Sequence, residues 1–159
     1  MTGTRCRSLE FAGAGSAPVL RWEMTGRPAS VTLAWVLSGE TTPAVQRVFE
    51  LLATGAAWKP SLWRLEIANV LEMGVRHGRH SARFRDATLE DLAQLPVRTD
   101  PDSERYAWDA TLRLAGKHKL TGYDASYLEL ALRRALPLPT LEAELRTAAA
   151  KESVMLLSA

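Results

Sequence analysis

The spacing of apolar residues changes along the chain in a way that separates a head from a body. In residues 1–28 Gly and Ala recur without helical or strand period, and only VLRWEM at 19–24 has the makings of a short strand. From Ala29 the pattern is regular. Residues 30–37 (SVTLAWVL) form a short apolar segment that ends in the turn composition Ser38-Gly39-Glu40. Thr42-Pro43 predicts a helix start, with Val45, Val48, Phe49 and Leu52 on one face and Gly55 as the stop. Residues 56–59 read as a short buried strand. Pro60-Ser61 opens a longer helix to about His77, with Trp63, Ile67, Val70, Leu71 and Gly74 on one face and Gly78 as terminator. Ser81 predicts a cap for a helix through Leu95, ended by Pro96.

Residues 97–99 predict another strand, after which Asp100-Pro101-Asp102 leads into a helix carrying Ala107, Ala110, Thr111 and Leu114. Thr121 begins a helix through Ala135, residues 136–138 form a strand, Thr140 caps a further helix, and residues 154–157 form a last strand. Short strands alternating with helices predict an α/β fold with a mainly parallel sheet. The domain expected is one body over residues 29–159, preceded by an atypical, poorly ordered head at 1–28.

Three acids fall at informative places in this pattern. Asp124 follows Thr121 by three residues, so the pair can form a variant of the capping box, and an acid there is stabilised by the positive end of the helix dipole. Glu66 lies on the helix opened by Ser61, offset from its apolar face, where a solvated side chain is the plain structural reading. Glu142 follows Thr140 in the first turn of the next helix. Each has a purely structural explanation. Parallel α/β folds, however, collect loop-to-helix junctions at the carboxyl edge of the sheet, where ligands bind.

The strings ASVTLAWVLSGE, LWRLEIANVL and LTGYDASYLELALRRALPLPTLEAEL carry a resemblance. From Ala29 to about Leu157 the chain resembles the PIN-domain ribonucleases, in particular the VapC-type toxins of bacterial toxin–antitoxin pairs. The resemblance implies a three-layer α/β/α sandwich around a mainly parallel sheet, hydrolysing RNA phosphodiester bonds with Mg²⁺ or Mn²⁺. It further implies a homodimer and a small VapB-type antitoxin whose tail covers the acidic cleft. Glu66 matches the family's helix acid, Asp124 the acid of its Tyr-Asp-Ala motif, and Glu142 falls where the family usually has aspartate. These three are the implied catalytic residues and metal ligands, with Ser30 and Asn69 as supporting side chains, although Ser30 reads equally well as an N-cap and Asn69 as a solvent-facing residue. Hard carboxylate oxygens suit Mg²⁺, which keeps several waters and needs few protein ligands.

The sequence departs from the family at one position. The first acid of the family ends the first strand in an apolar-Asp-Ala-Ser pattern, and here the tetrapeptide is Arg27-Pro28-Ala29-Ser30. Proline offers no ligand and cannot donate to a sheet ladder, so the first strand is expected to be disrupted. The abrupt onset of similarity at Ala29 favours a head joined through a shifted frame or displaced start over gradual decay. With one expected ligand missing, weak or absent cleavage is expected, and a non-catalytic PIN-like module that binds an antitoxin or RNA is the alternative.

Composition and charge refine this picture. A chain of 159 residues, 47% hydrophobic and 24% charged, fits one folded domain and excludes wholesale disorder. The formal charge of +2 is too weak to announce a nucleic-acid binder by itself. Residues 1–28 hold four Arg and two Glu and so carry the whole excess, which leaves the body neutral. A body whose three acids were occupied by a divalent ion would present a net positive remainder to phosphate. The basic stretch RHGRHSARFR, with Arg76 and Arg79, is the densest positive segment and a candidate grip for the RNA backbone, although such runs are commonly solvated connections. His77, His80 and His118 sit in basic helix ends, a poor setting for metal ligation. Trp35, Trp63 and Trp108 lie in apolar helical segments, where packing is expected over base stacking. The lone Cys6 excludes an internal disulfide or a cysteine zinc cage. No apolar run reaches the length of a membrane span, and the first twenty residues lack the apolar stretch of a secretory signal, so a cytoplasmic protein is expected.

Overall fold

The computed structural model describes residues 57–157, together with Thr32, Leu33, Val36 and Leu37, which are helical. Pro28, Ser30, Trp35 and the expected helix after Thr42 lie outside the described residues, as does the head. The elements run β1 (Trp58–Lys59), α1 (Trp63–Arg76), α2 (Ala82–Ala93), β2 (Arg98–Thr99), α3 (Ser103–Tyr106), α4 (Ala110–His118), α5 (Gly122–Arg134) and α6 (Ala143–Lys151). The described part is therefore mixed and mainly helical.

β1 and β2 are parallel, with Trp58 opposite Arg98 and Lys59 opposite Thr99. Parallel neighbours require a crossover, and the α1–α2 hairpin supplies it. A second parallel contact is a single bridge between Leu138 and Leu156, so the strands expected at 136–138 and 154–157 shrink to one paired residue each. Leu138 donates to Met155 and accepts from Leu157, which uses up the pairing that so short a segment offers.

Two of the six helices α1–α6 in the described residues start at a side-chain cap. Ser81 caps α2, its hydroxyl accepting from the Phe84 amide at 3.1 Å. Thr121 caps α5 in the same way through the Asp124 amide. Gly78, at φ +66°, takes the left-handed turn after α1 that a side chain resists. Ser61 does not cap α1. The helix enters through a turn in which the Trp63 amide bonds the Pro60 carbonyl, and Leu62 stands at its N-cap without a capping side chain.

The continuous helix expected after Asp102 is two helices, broken at residues 107–109. Asp109 leaves helical geometry at φ −124°, ψ −91°, and its carbonyl then accepts from Arg113 to start α4. The break turns Trp108 outward to 92% exposure, against the packing expected for it. α3 stays behind at the end of β2, where the Arg133 guanidinium covers the Tyr106 ring at 4.6 Å. α4 instead packs along α5, burying Thr111.

α5 is the central element of the described fold. Ala125, Leu128 and Ala131 face a core with Ile67 and Leu71 of α1 and Leu145 of α6. Leu33 is fully buried in the same cluster. The far end of α5 is fixed by a buried carboxylate that the sequence presented only as a turn residue. Asp100, following β2 and 1% exposed, accepts from Ser103, Arg133 and Arg134, with separations of 2.9, 2.7 and 2.5 Å to the nearest atoms. Burial alone would raise its pKa, but these hydrogen bonds outweigh it and hold the carboxyl at about 2. Arg134 also lies 3.7 Å over the Trp58 ring, so β1, β2, α3 and α5 meet at this node. At the other edge His118 and Lys117, ending α4, share the Glu152 carboxylate after α6.

Candidate acidic site

The predicted acids Glu66, Asp124 and Glu142 come from α1, α5 and the N-cap of α6. Glu66 is 7% exposed, so the solvated reading of this residue is overturned. It lies three residues after Trp63 and one before Ile67, both buried, which turns it inward with the packed side of α1. There the Tyr127 hydroxyl donates to Glu66 Oε2 at 2.5 Å, across 61 residues of sequence.

Asp124 sits one helical turn before Tyr127 on α5 and is 4% exposed. The Thr121 hydroxyl donates to its Oδ2 at 2.6 Å and accepts from its amide at 3.1 Å. The reciprocal contact is thus made through the threonine hydroxyl alone rather than through the Thr121 amide, which a capping box would use. Asp124 Oδ1 is buried and has no hydrogen-bond partner among the described residues. Burial pushes the Asp124 carboxyl above its usual range. Its hydrogen bond with Thr121 pulls the other way, while the charges of Glu142 and Glu144 push it further up.

Tyr127 stands between the two acids electrostatically. Burial, then the charge and hydrogen bond of Glu66, then the charge of Asp124, hold the phenol well above its ordinary value, so it remains a donor. In the sequence this tyrosine only closes the string Tyr123-Asp124-Ala125-Ser126-Tyr127, and no role was expected of it. The signal was its place three residues after Asp124, which puts both on one face of a helix. Glu144 was also missed, although it follows Glu142 by two.

The arrangement links Glu66 to Tyr127, Tyr127 to Asp124, and Asp124 to Glu142 and Glu144. Among the described residues no three His, Cys, Asp or Glu side chains gather closely enough to hold one metal ion. Asp124 nonetheless has what a hard cation would satisfy: a buried oxygen without a donor and a negative field from Glu142 and Glu144. Glu142 is half-buried, and its amide bonds the Thr140 hydroxyl at 3.1 Å. Asp124 and Glu142 therefore fit a divalent ion that keeps most of its water. Glu66, whose Oε2 is engaged by Tyr127, fits a more distant place.

The remaining candidates are dispersed. Asn69 is exposed, one turn beyond Glu66. Arg76 pairs with Glu72 at 3.2 Å, and Arg85 joins the same carboxylate, so part of the basic stretch is neutralised within the α1–α2 hairpin. Arg79 is exposed. His80 packs its ring over Gly74 and tilts against Phe84, in a packing setting rather than a ligand set. Among the described residues no helix is long and apolar enough to cross a membrane. No family model, curated protein or solved structure matches the chain. The functional reading therefore rests on the residues themselves.

Proposed function

We propose that the chain is a metal-dependent endoribonuclease of the VapC type, weakened by the loss of its first acid. The observation that carries this reading is Asp124: a buried carboxylate with an unpartnered oxygen, crowded by the charges of Glu142 and Glu144. Leaving such a group uncompensated is unfavourable, and a divalent cation is the compensation its chemistry selects. In this reading Asp124 and Glu142 hold Mg²⁺ or Mn²⁺, and Glu66 and Tyr127 form the wall that keeps Asp124 in place. Ser30 and Asn69 are assigned supporting roles on the resemblance alone. A bound ion would supply polarisation of the phosphodiester and charge at the leaving oxygen.

The fold belonging to this reading is the three-layer α/β/α sandwich with a mainly parallel central sheet. The parallel β1–β2 pair, its helical crossover and the parallel Leu138–Leu156 bridge support it. Arg76 and Arg79 would meet the RNA backbone. A cytoplasmic homodimer inhibited by a VapB-type antitoxin completes the proposal.

A second reading, a non-catalytic PIN-like module that binds RNA or an antitoxin, is favoured by Pro28 and by the lack of a three-acid cluster among the described residues. Cleavage of labelled RNA separates the two. The chain as it stands is expected to cut weakly, and Pro28→Asp to gain at least about tenfold in Mg²⁺, with EDTA abolishing the gain. Absence of cleavage from both forms would leave the binding module.

A further inference from the structure

We propose that Lys59, Arg64 and the N-terminal end of α1 form a binding site for a phosphate group, distinct from the Asp124–Glu142 pair. Lys59 ends β1 and is 6% exposed, yet no carboxylate or hydrogen-bond acceptor pairs with it among the described residues. Its ammonium lies 3.8 Å over the ring of Trp63, the first residue of α1, so the side chain reaches along the start of that helix. Two other buried charged residues have counter-ions: Asp100 has Arg133 and Arg134, and Glu129 has Arg133. A buried lysine without a counter-ion is uncommon and asks for an anion.

Two further positive features meet it there. Arg64 is exposed in the same turn, and its charge acts on Lys59. Burial first, then Arg64, lower the Lys59 pKa to about 8, which still leaves the ammonium charged at neutral pH. α1 runs for 14 residues, and Leu62 at its N-cap offers the first-turn amides no side-chain acceptor. The Trp63 amide already bonds the Pro60 carbonyl and the Leu65 amide the Leu62 carbonyl, so this end offers a phosphate chiefly the positive end of the helix dipole. The one acid of this turn, Glu66, gives Oε2 to Tyr127 on α5.

A phosphate has the charge and the several acceptor oxygens to serve the ammonium and the guanidinium together. The assignment to a phosphate of an RNA strand rests on the ribonuclease reading; the site itself does not. Free phosphate is the other source of the same chemistry.

The test uses the full chain in EDTA, so that cleavage plays no part. Binding of a short fluorescein-labelled single-stranded RNA is followed by anisotropy across salt concentrations, and inorganic phosphate by ³¹P line broadening. Lys59→Met is expected to weaken RNA binding about tenfold and to lower the salt slope by about one, with Lys59→Arg close to wild type. Arg64→Gln, on an exposed side chain, is expected to weaken RNA binding about threefold. Lys59-dependent phosphate broadening with unchanged RNA affinity supports the site and assigns it to free phosphate. Wild-type RNA affinity, salt slope and phosphate broadening in a folded Lys59→Met overturn the proposal. If that variant does not fold, the same wild-type behaviour in Arg64→Gln overturns it. Failure of the Pro28→Asp chain to cut RNA bears on the ribonuclease reading and leaves this binding result intact.

Discussion

The Tyr127 hydroxyl donates a 2.5 Å hydrogen bond to Glu66 Oε2, tying the middle of α5 to the first turn of α1 in the buried interior. Removing that donor costs the buried Glu66 carboxylate one short hydrogen bond. Tyr127→Phe is therefore expected to destabilise the fold by about 2 kcal/mol, readable as a lower urea midpoint. A midpoint equal to wild type would show that Glu66 is not held in this way.

Asp124 titrates in the opposite sense to an ordinary salt-bridged acid. Its folded pKa is raised, first by burial, so the native state holds its proton more tightly than the unfolded chain does. Its contribution to stability is present below the unfolded value and is lost as pH rises through the folded value. Asp124→Asn should accordingly be more stable than wild type at pH 7 in EDTA, with the difference shrinking in acid. Thermal melts of the two proteins across pH measure this directly. A variant less stable at pH 7 would mean that the carboxylate is compensated already.

Asp100 runs the other way. With its pKa held at about 2 against 3.8, it adds stability above pH 4 that falls away as pH drops toward 2. The effect is on the order of 2 kcal/mol. Asp100→Asn should cost about 3 kcal/mol at neutral pH, because Arg133 and Arg134 lose their shared anion, and should flatten the acid limb of the stability curve. An unchanged acid limb would contradict the role of this node.

Three helices end on left-handed residues that are not glycine: Lys119, Ala135 and Ser153, at φ 57°, 51° and 58°. After each, an apolar residue donates back into the helix, as the Leu136 amide does to the Ala131 carbonyl at 2.9 Å. Ala135→Gly should relieve strain at the end of α5 and stabilise the fold by about 1 kcal/mol in equilibrium unfolding. Destabilisation would place the strain elsewhere.

Much of the element order was legible because the signals were local. Thr121 and Ser81 cap where a hydroxyl precedes an apolar period, and Gly78 stops α1 because only glycine turns left-handed at little cost. The ends of α4 and α5 gave no such signal, since Lys119 and Ala135 occupy positions where glycine is the usual sign. The break at residues 107–109 was hidden because Ala107, Ala110 and Leu114 keep a helical period through it. Of the site, Asp124 was readable from its cap. The inward turn of Glu66 was not, because burial of a charged residue depends on a partner distant in sequence, here Tyr127. Asp100 shows the same limit: its neighbours predict a turn, while its two arginines arrive 33 and 34 residues later.

The central claim is that Asp124 and Glu142 form a divalent-cation site, and Mn²⁺ binding tests it most directly. Free Mn²⁺ can be counted by its paramagnetic resonance signal while the metal-free chain is added, for wild type and for Asp124→Asn. The account predicts saturable binding to wild type that weakens at least about tenfold in Asp124→Asn, since a carboxylate is replaced by a neutral amide. Equal binding by both proteins, or none by either, would contradict it.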